Sequence, residues 1–126
     1  MWSYNQDINP PAPFLQVVVL HPVTGQNRTL PAKLDTAADI STIPDTLRSD
    51  LALSQAHDIL VEGYDGVQVA LPTYIITLEL AGTQAQHLEV IAIPEDHMLI
   101  GRDILNHFYT KLNGPELTFD LSLSPL

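Results

Sequence analysis

Strict alternation of apolar and polar side chains is what most restricts the folds open to this chain. It is cleanest in TYIITLEL (73–80), and it returns in RTLPAKL (28–34), where Leu30, Ala32 and Leu34 fall on one face. A period of two belongs to a strand with one buried face, because successive side chains point to opposite sides of the pleat. FLQVVVL (14–20) and HLEVIAI (87–93) read as further strands, with turns at VTGQN (23–27) and AGTQ (81–84). ILVEGYDGVQVALP (59–72) reads as a hairpin with Gly63 to Gly66 at its tip. Asn113-Gly114-Pro115 closes a second one between YTKL and ELTFDL. Only RDILNHF (102–108) places apolar residues, Ile104, Leu105 and Phe108, at helical spacing. Residues 45–59 are ambiguous, with a short helical turn as one reading of DTLRSD. The expected fold is a small all-β domain with one short helix.

A chain of 126 residues suits one domain, able to bury roughly two-thirds of its unfolded surface. The 45% hydrophobic content supplies a core, which argues against wholesale disorder. Residues 1–13, polar and proline-bearing, read as an extended arm or loose tail, leaving 14–126 as the folded domain. Fifteen acidic residues against five basic ones give a net charge of −10 with no basic cluster. That balance argues against nucleic acid and anionic membranes as partners. The opening MWSYNQDINPPAP lacks the features of a signal peptide. No run approaches the ~18 apolar residues of a membrane helix. A soluble, cytoplasmic protein is expected. With no cysteine, disulfides and thiol catalysis are excluded. The five histidines show no paired ligand spacing, and PEDH (94–97) reads as a polar turn, so no metal or other cofactor is expected.

Three segments carry the chemistry. KLDTAADISTIP (33–44) delivers Asp35 and Asp39 into a stretch of small side chains. HMLIGRDIL (97–105) is an apolar run ending at Gly101 and followed by Arg102, and GYDG (63–66) lies between the two. In this order and spacing they resemble the retropepsins, the retroviral-type aspartic proteases. That family has an apolar pair before Asp-Thr/Ser-Gly-Ala-Asp, a glycine-bearing flap, and an apolar strand leading into Gly-Arg-Asp/Asn and a helix. A lone Asp-Thr-Ala arises by chance in many proteins; the three features together are specific. The resemblance covers roughly residues 14 to 121.

The resemblance implies a retropepsin-like half-barrel with one short C-terminal helix, working as a homodimer on a peptide or protein substrate. The reaction is hydrolysis of peptide bonds by a water activated between two aspartates. At ~3 Å and an effective dielectric near 20, two such charges repel by roughly 5 kcal/mol, so one stays protonated. The chain holds no second loop of this kind, so the partner of Asp35 is Asp35 of another copy. By the same resemblance, Thr36 bonds across the dimer, and Asp39 contacts substrate backbone and pairs with Arg102. Gly63, Tyr64, Asp65 and Gly66 form the flap tip, with Tyr64 as a lid over substrate. Ala37 stands where the pattern has glycine; alanine tolerates negative φ, so catalysis is expected to survive. A non-catalytic dimerisation or peptide-binding module on the same fold is the second reading, with Ala37 as its mark. Losing Arg102 costs roughly 3–5 kcal/mol if its pair with Asp39 is buried and about 0–1 if it is exposed.

Overall fold

A ring of six strands shapes the larger of two sheets in the computed structural model, which describes residues 1–63 and 65–126. In chain order the described elements are β1 (Trp2–Ser3), β2 (Phe14–Leu20), β3 (Asn27–Leu34), β4 (Thr42–Pro44) and α1 (Asp45–Asp50). They continue with β5 (Gln55–Glu62), β6 (Gln68–Leu80), β7 (Thr83–Ile93), β8 (Met98–Ile100), α2 (Arg102–Leu105), β9 (Tyr109–Asn113) and β10 (Thr118–Ser122). The larger sheet runs β2-β3-β8-β4-β7-β6-β5, and pairing of β2 with β6 closes it, leaving β5 on the outside. The smaller sheet runs β1-β10-β9.

Alternation decides which side chains enter the ring. Leu15, Val17 and Val19 of β2, Leu30, Ala32 and Leu34 of β3, and Tyr74, Ile76, Leu78 and Leu80 of β6 are all buried. Each residue slip would turn these sets outward, so the register is tightly specified. The run expected to break near residue 72 is instead one strand of thirteen residues. Pro72 falls just before the β7 pairing begins at Thr73, and it faces β5 at a point where the β5 register shifts. A proline is tolerated at such an irregularity because the ladder asks least of its missing N–H there.

Two helices are present among the described residues where one was expected. DTLRSD does form α1, with Leu47 buried. The Arg48 guanidinium, 2.8 Å from Asp45 Oδ1, holds the Asp45 carboxyl below the usual carboxylate range. The C-terminal helix is shorter than the spacing predicts. Beyond Leu105 the backbone tightens, with His107 N–H donating to Ile104 O and Phe108 N–H to Leu105 O, each at 3.0 Å. Tightened final turns of this kind satisfy carbonyls left open at a helix end. No helix among the described residues is long and apolar enough to cross a membrane.

Residues 1–13 bend back on themselves and are tied to the rest of the domain. β1 pairs antiparallel with β10, and Asn5 bridges Ala12. Trp2 stacks on Phe119 with ring centroids 5.5 Å apart, and Tyr4 meets the same ring at 6.0 Å. Phe119, almost wholly buried, joins the smaller sheet to the core of the larger one. Phe119→Ala should cost about 3–5 kcal/mol, read as a lowered midpoint in chemical unfolding; a midpoint equal to wild type would show that the two sheets are stabilised separately.

Candidate active site

Two adjacent parallel strands end together and present Asp35. β3 pairs parallel with β8, with Leu34 opposite Ile100, and the Asp35 N–H donates to Ile100 O at 2.9 Å. This last bond holds the half-buried Asp35 at the rim of the ring while its side chain leaves the ladder. The chain then turns tightly. Ala37 N–H donates to Asp35 Oδ1 at 3.1 Å, and Ala38 N–H donates to Asp35 O at 3.2 Å. Small residues allow this turn because bulky side chains would crowd the carboxylate. Among described residues other than glycine, positive φ occurs at Ala52, Ala81, His87 and Leu117. Ala37 is therefore in backbone that alanine adopts without strain.

The turn is clasped from behind by the start of α2. Arg102 N–H donates to Ala38 O at 2.9 Å. At Gly101 a Cβ would lie 2.8 Å from Ala38 O and 3.1 Å from the Ile40 carbonyl carbon, so only glycine lets the two segments approach this closely. Ser41 completes the clasp: its hydroxyl donates to Asp103 Oδ1 at 2.7 Å, and its N–H donates to Asp103 Oδ2 at 2.9 Å. The Ser41 oxygen in turn accepts the Gly101 N–H at 2.9 Å. Ser41 is fully buried, so these bonds satisfy polar groups that water cannot reach. Sequence reasoning did not single out Ser41 or Asp103. The acid of Gly-Arg-Asp was a signal for Asp103; no local pattern marks Ser41.

Arg102 reaches the loop as expected. Its guanidinium pairs with the Asp39 carboxylate, and Nη1 donates to Thr36 O at 2.9 Å. The pair is open to solvent, with side chains 44% and 85% exposed for Arg102 and Asp39. Thr36 and Ala37 are exposed too. The flap residues are not brought against this loop by any described contact; their bonds are local. Gly63 N–H donates to Val67 O at 3.2 Å, Gly66 N–H to Gly63 O at 3.0 Å, and Val67 N–H to Asp65 Oδ1 at 3.1 Å. Gly66 has φ of 75°, a turn conformation that favours glycine. The lid expected of Tyr64 lies outside the described residues.

Two of the histidines are in structural use. His21 Nδ1 accepts the N–H groups of Val23 and Thr24 in the β2–β3 turn. His97 packs edge-on to Phe14 and lies 2.7 Å from Asp96, whose carboxyl it holds below its ordinary range. Glu95, Asp96 and His97 gather their ligand atoms within 4.8 Å, in the segment read as a polar turn.

A single carboxylate at a strand end can hold or give up a proton, and its position is set by backbone rather than by another acid. The exposed Arg102–Asp39 pair is accordingly a poor source of stability, worth about 0–1 kcal/mol to the isolated fold. Arg102→Ala should leave the melting temperature of the monomer nearly unchanged while loosening the loop through the lost bond to Thr36 O. Calorimetry under dissociating conditions checks this, and a fall of many degrees would mean that the guanidinium is integral to the core.

The aspartyl protease family profile matches residues 21–104, which include the acid loop, the flap segment and the first part of α2. Among solved structures, the chain is 24% identical to EIAV protease bound to an inhibitor, with a TM-score of 0.58 over 78% of this chain and 88% of that one. Simian foamy virus (mac) protease is 21% identical with a TM-score of 0.57, over 75% of this chain and 92% of that one. A retropepsin-like aspartic protease from Rickettsia conorii is 15% identical with a TM-score of 0.61, over 96% of this chain and 88% of that one. No curated protein matches the chain. The structural likenesses show a shared fold, and the profile spans most of the chain: the protein belongs to the aspartyl protease family and has the retropepsin-like fold.

Proposed function

We propose that the protein is an aspartic endopeptidase whose active site forms when two copies bring their Asp35 side chains together. The observation that carries this reading is Asp35 itself: one half-buried carboxylate per chain, at the paired ends of β3 and β8, in an Asp-Thr-Ala-Ala-Asp loop. In the dimer, the ionised member of the pair takes a proton from water while the other gives its proton to the carbonyl oxygen of the scissile amide. The tetrahedral intermediate then collapses, with a proton passing to the leaving nitrogen. Thr36 holds the two loops together, Asp39 meets substrate backbone, and Gly63, Asp65 and Gly66 close over the peptide. Negative φ at Ala37 supports catalysis over the non-catalytic reading, which rested on that residue.

Electrostatics restricts where two copies can meet. Each carries −10, so a dimer sets about −20 on one particle, and carboxylates at the contact beyond the Asp35 pair are unfavourable. β5 has an outer edge but carries Asp58 and Glu62. β9 also lies at a sheet edge, contains no acid, and leaves Leu112 half-exposed on the face shared with Phe119. An unpaired edge of this kind invites a further strand, and pairing of β9 with its copy is the contact we assign to the dimer.

Two outcomes test this function. Asp35→Asn should keep the fold and abolish peptide cleavage, and wild-type activity should fall faster than linearly on dilution, in step with dimer content from sedimentation. Turnover retained by Asp35→Asn, or by a monomer at every concentration, would place the chemistry elsewhere. The rate should also follow a bell in pH, with an optimum of about pH 4–6, because one acid of the pair must be protonated and the other ionised. Salt should partly restore neutral-pH activity by screening repulsion between copies. A pH–rate series at two ionic strengths, with dimer content at each point, measures both. A rate rising steadily into alkali with the dimer intact would contradict a shared proton.

A further inference from the structure

The hydrogen bonds at the tip of the β5–β6 hairpin are local, and none of them fixes the tip relative to the Asp35 loop. Nearer its base the hairpin shares with that loop the largest described cavity, about 710 Å³, lined by Asp39 and Ile40 of the loop and by His57 and Ile59 of β5. Open space of that size supplies no packing to keep the hairpin at one distance from the acid. The hold comes instead from the bonds between β5 and its neighbours.

β5 is an outer strand with β6 as its one neighbour in the sheet, and their ladder is weakest at the base of the hairpin. The register shifts between Gln55 and Asp58, which leaves Ala56 and His57 outside the regular pairing. The next pair is Asp58 with Pro72, and proline has no N–H to donate. From Asp58 to Glu62 the pairing is then unbroken, so a shift at the bulge carries to the tip.

Thr73 fills the gap. Tyr74 and Ile76 enter the ring, and by alternation Thr73 lies on the other face of β6, where it is wholly buried. Its hydroxyl donates to His57 O at 2.9 Å and accepts the His57 N–H at 3.3 Å. One side chain thus supplies both main-chain bonds that the bulge takes from the ladder. Valine would fill nearly the same volume at this strand position without burying a hydroxyl, so what threonine adds is those two bonds. A second tether crosses β6: Glu89 Oε1 of β7 lies 2.6 Å from His57 Nε2, a charge contact without hydrogen-bond alignment. The His57 side chain is largely exposed, so this tether is the weaker one.

We propose that Thr73 is a positioning residue for peptide cleavage: by pinning the β5 bulge at His57, it sets where the hairpin bearing Gly63 and Gly66 stands relative to Asp35. The inference rests on the reading that this hairpin closes over bound peptide. With the bulge pinned, the hairpin is ordered before the peptide arrives. Without the pin, the β5 arm shifts against β6 and part of the binding energy goes into ordering it. The loss falls on KM rather than kcat, because Asp35 and its loop are untouched.

The test compares wild type, Thr73→Val and Thr73→Ser in peptide cleavage and in amide hydrogen exchange, with dimer content checked by sedimentation. Thr73→Val should raise KM about tenfold while kcat stays within about twofold of wild type. Exchange over residues 58–62 should quicken about tenfold or more, with β3 and β8 unchanged. Thr73→Ser keeps the hydroxyl and should restore both values. Faster exchange with an unchanged KM would show that the pin serves the fold alone, and would overturn the proposal. Equal losses in the valine and serine variants would overturn it too, by tracing the effect to packing. Should Thr73→Val fail to fold or dimerise, Thr73→Ala against Thr73→Ser repeats the comparison with and without the hydroxyl, and equal KM values in that pair defeat the idea. A wild-type protein that cleaves no better than Asp35→Asn removes the protease reading, and this proposal with it.

Discussion

The closeness of Gly101 to the Asp35 loop is the constraint on which the site depends. β3 and β8 run parallel side by side, and both must end where the acid begins. Continuing the chain past Ile100 then requires the backbone of residue 101 to press against Ala38 and Ile40, a space that admits no Cβ. From that contact follow the bond from Arg102 N–H to Ala38 O, the reach of the Arg102 guanidinium to Asp39 and Thr36, and the Ser41–Asp103 clasp. The loop that carries the carboxylate is thus held by backbone hydrogen bonds and by the buried Ser41–Asp103 clasp behind it.

The polar and charged groups around the loop divide by burial. Those that position the loop are shielded, with Ser41 fully buried behind it and Asp103 half-covered. Those facing outward, Asp39 and Arg102, add little to the fold because water screens them.

Much of this was legible in the sequence because it is local. Period-two alternation identified the buried faces of β3 and of the second half of β6, and glycine at φ of 75° marks the hairpin tip where Gly63 to Gly66 were read as a turn. Helix ends were less legible. Ile104, Leu105 and Phe108 keep helical spacing while the backbone beyond Leu105 has already tightened, since a three-residue turn presents nearly the same face. Pro72 likewise looked like a strand boundary, and only the sheet shows that the strand runs through it beside an irregular neighbour.

By itself the sequence determined the all-β class, the acidic surface, and the short segments that carry an aspartate, a glycine-bounded turn and a Gly-Arg-Asp run. These depend on residue type and spacing within one stretch of chain. Tertiary structure alone decided that Ser41 and Asp103 form the clasp, that the Arg102–Asp39 pair stands in solvent, and that His57 meets Glu89 beside a cavity. Ser41 and Asp103 are 62 positions apart, and neither carries a local pattern that names the other. Their meeting is a consequence of the antiparallel pairing of β4 with β8, Thr42 opposite Leu99, and exposure is a property of the assembled surface that no single segment encodes.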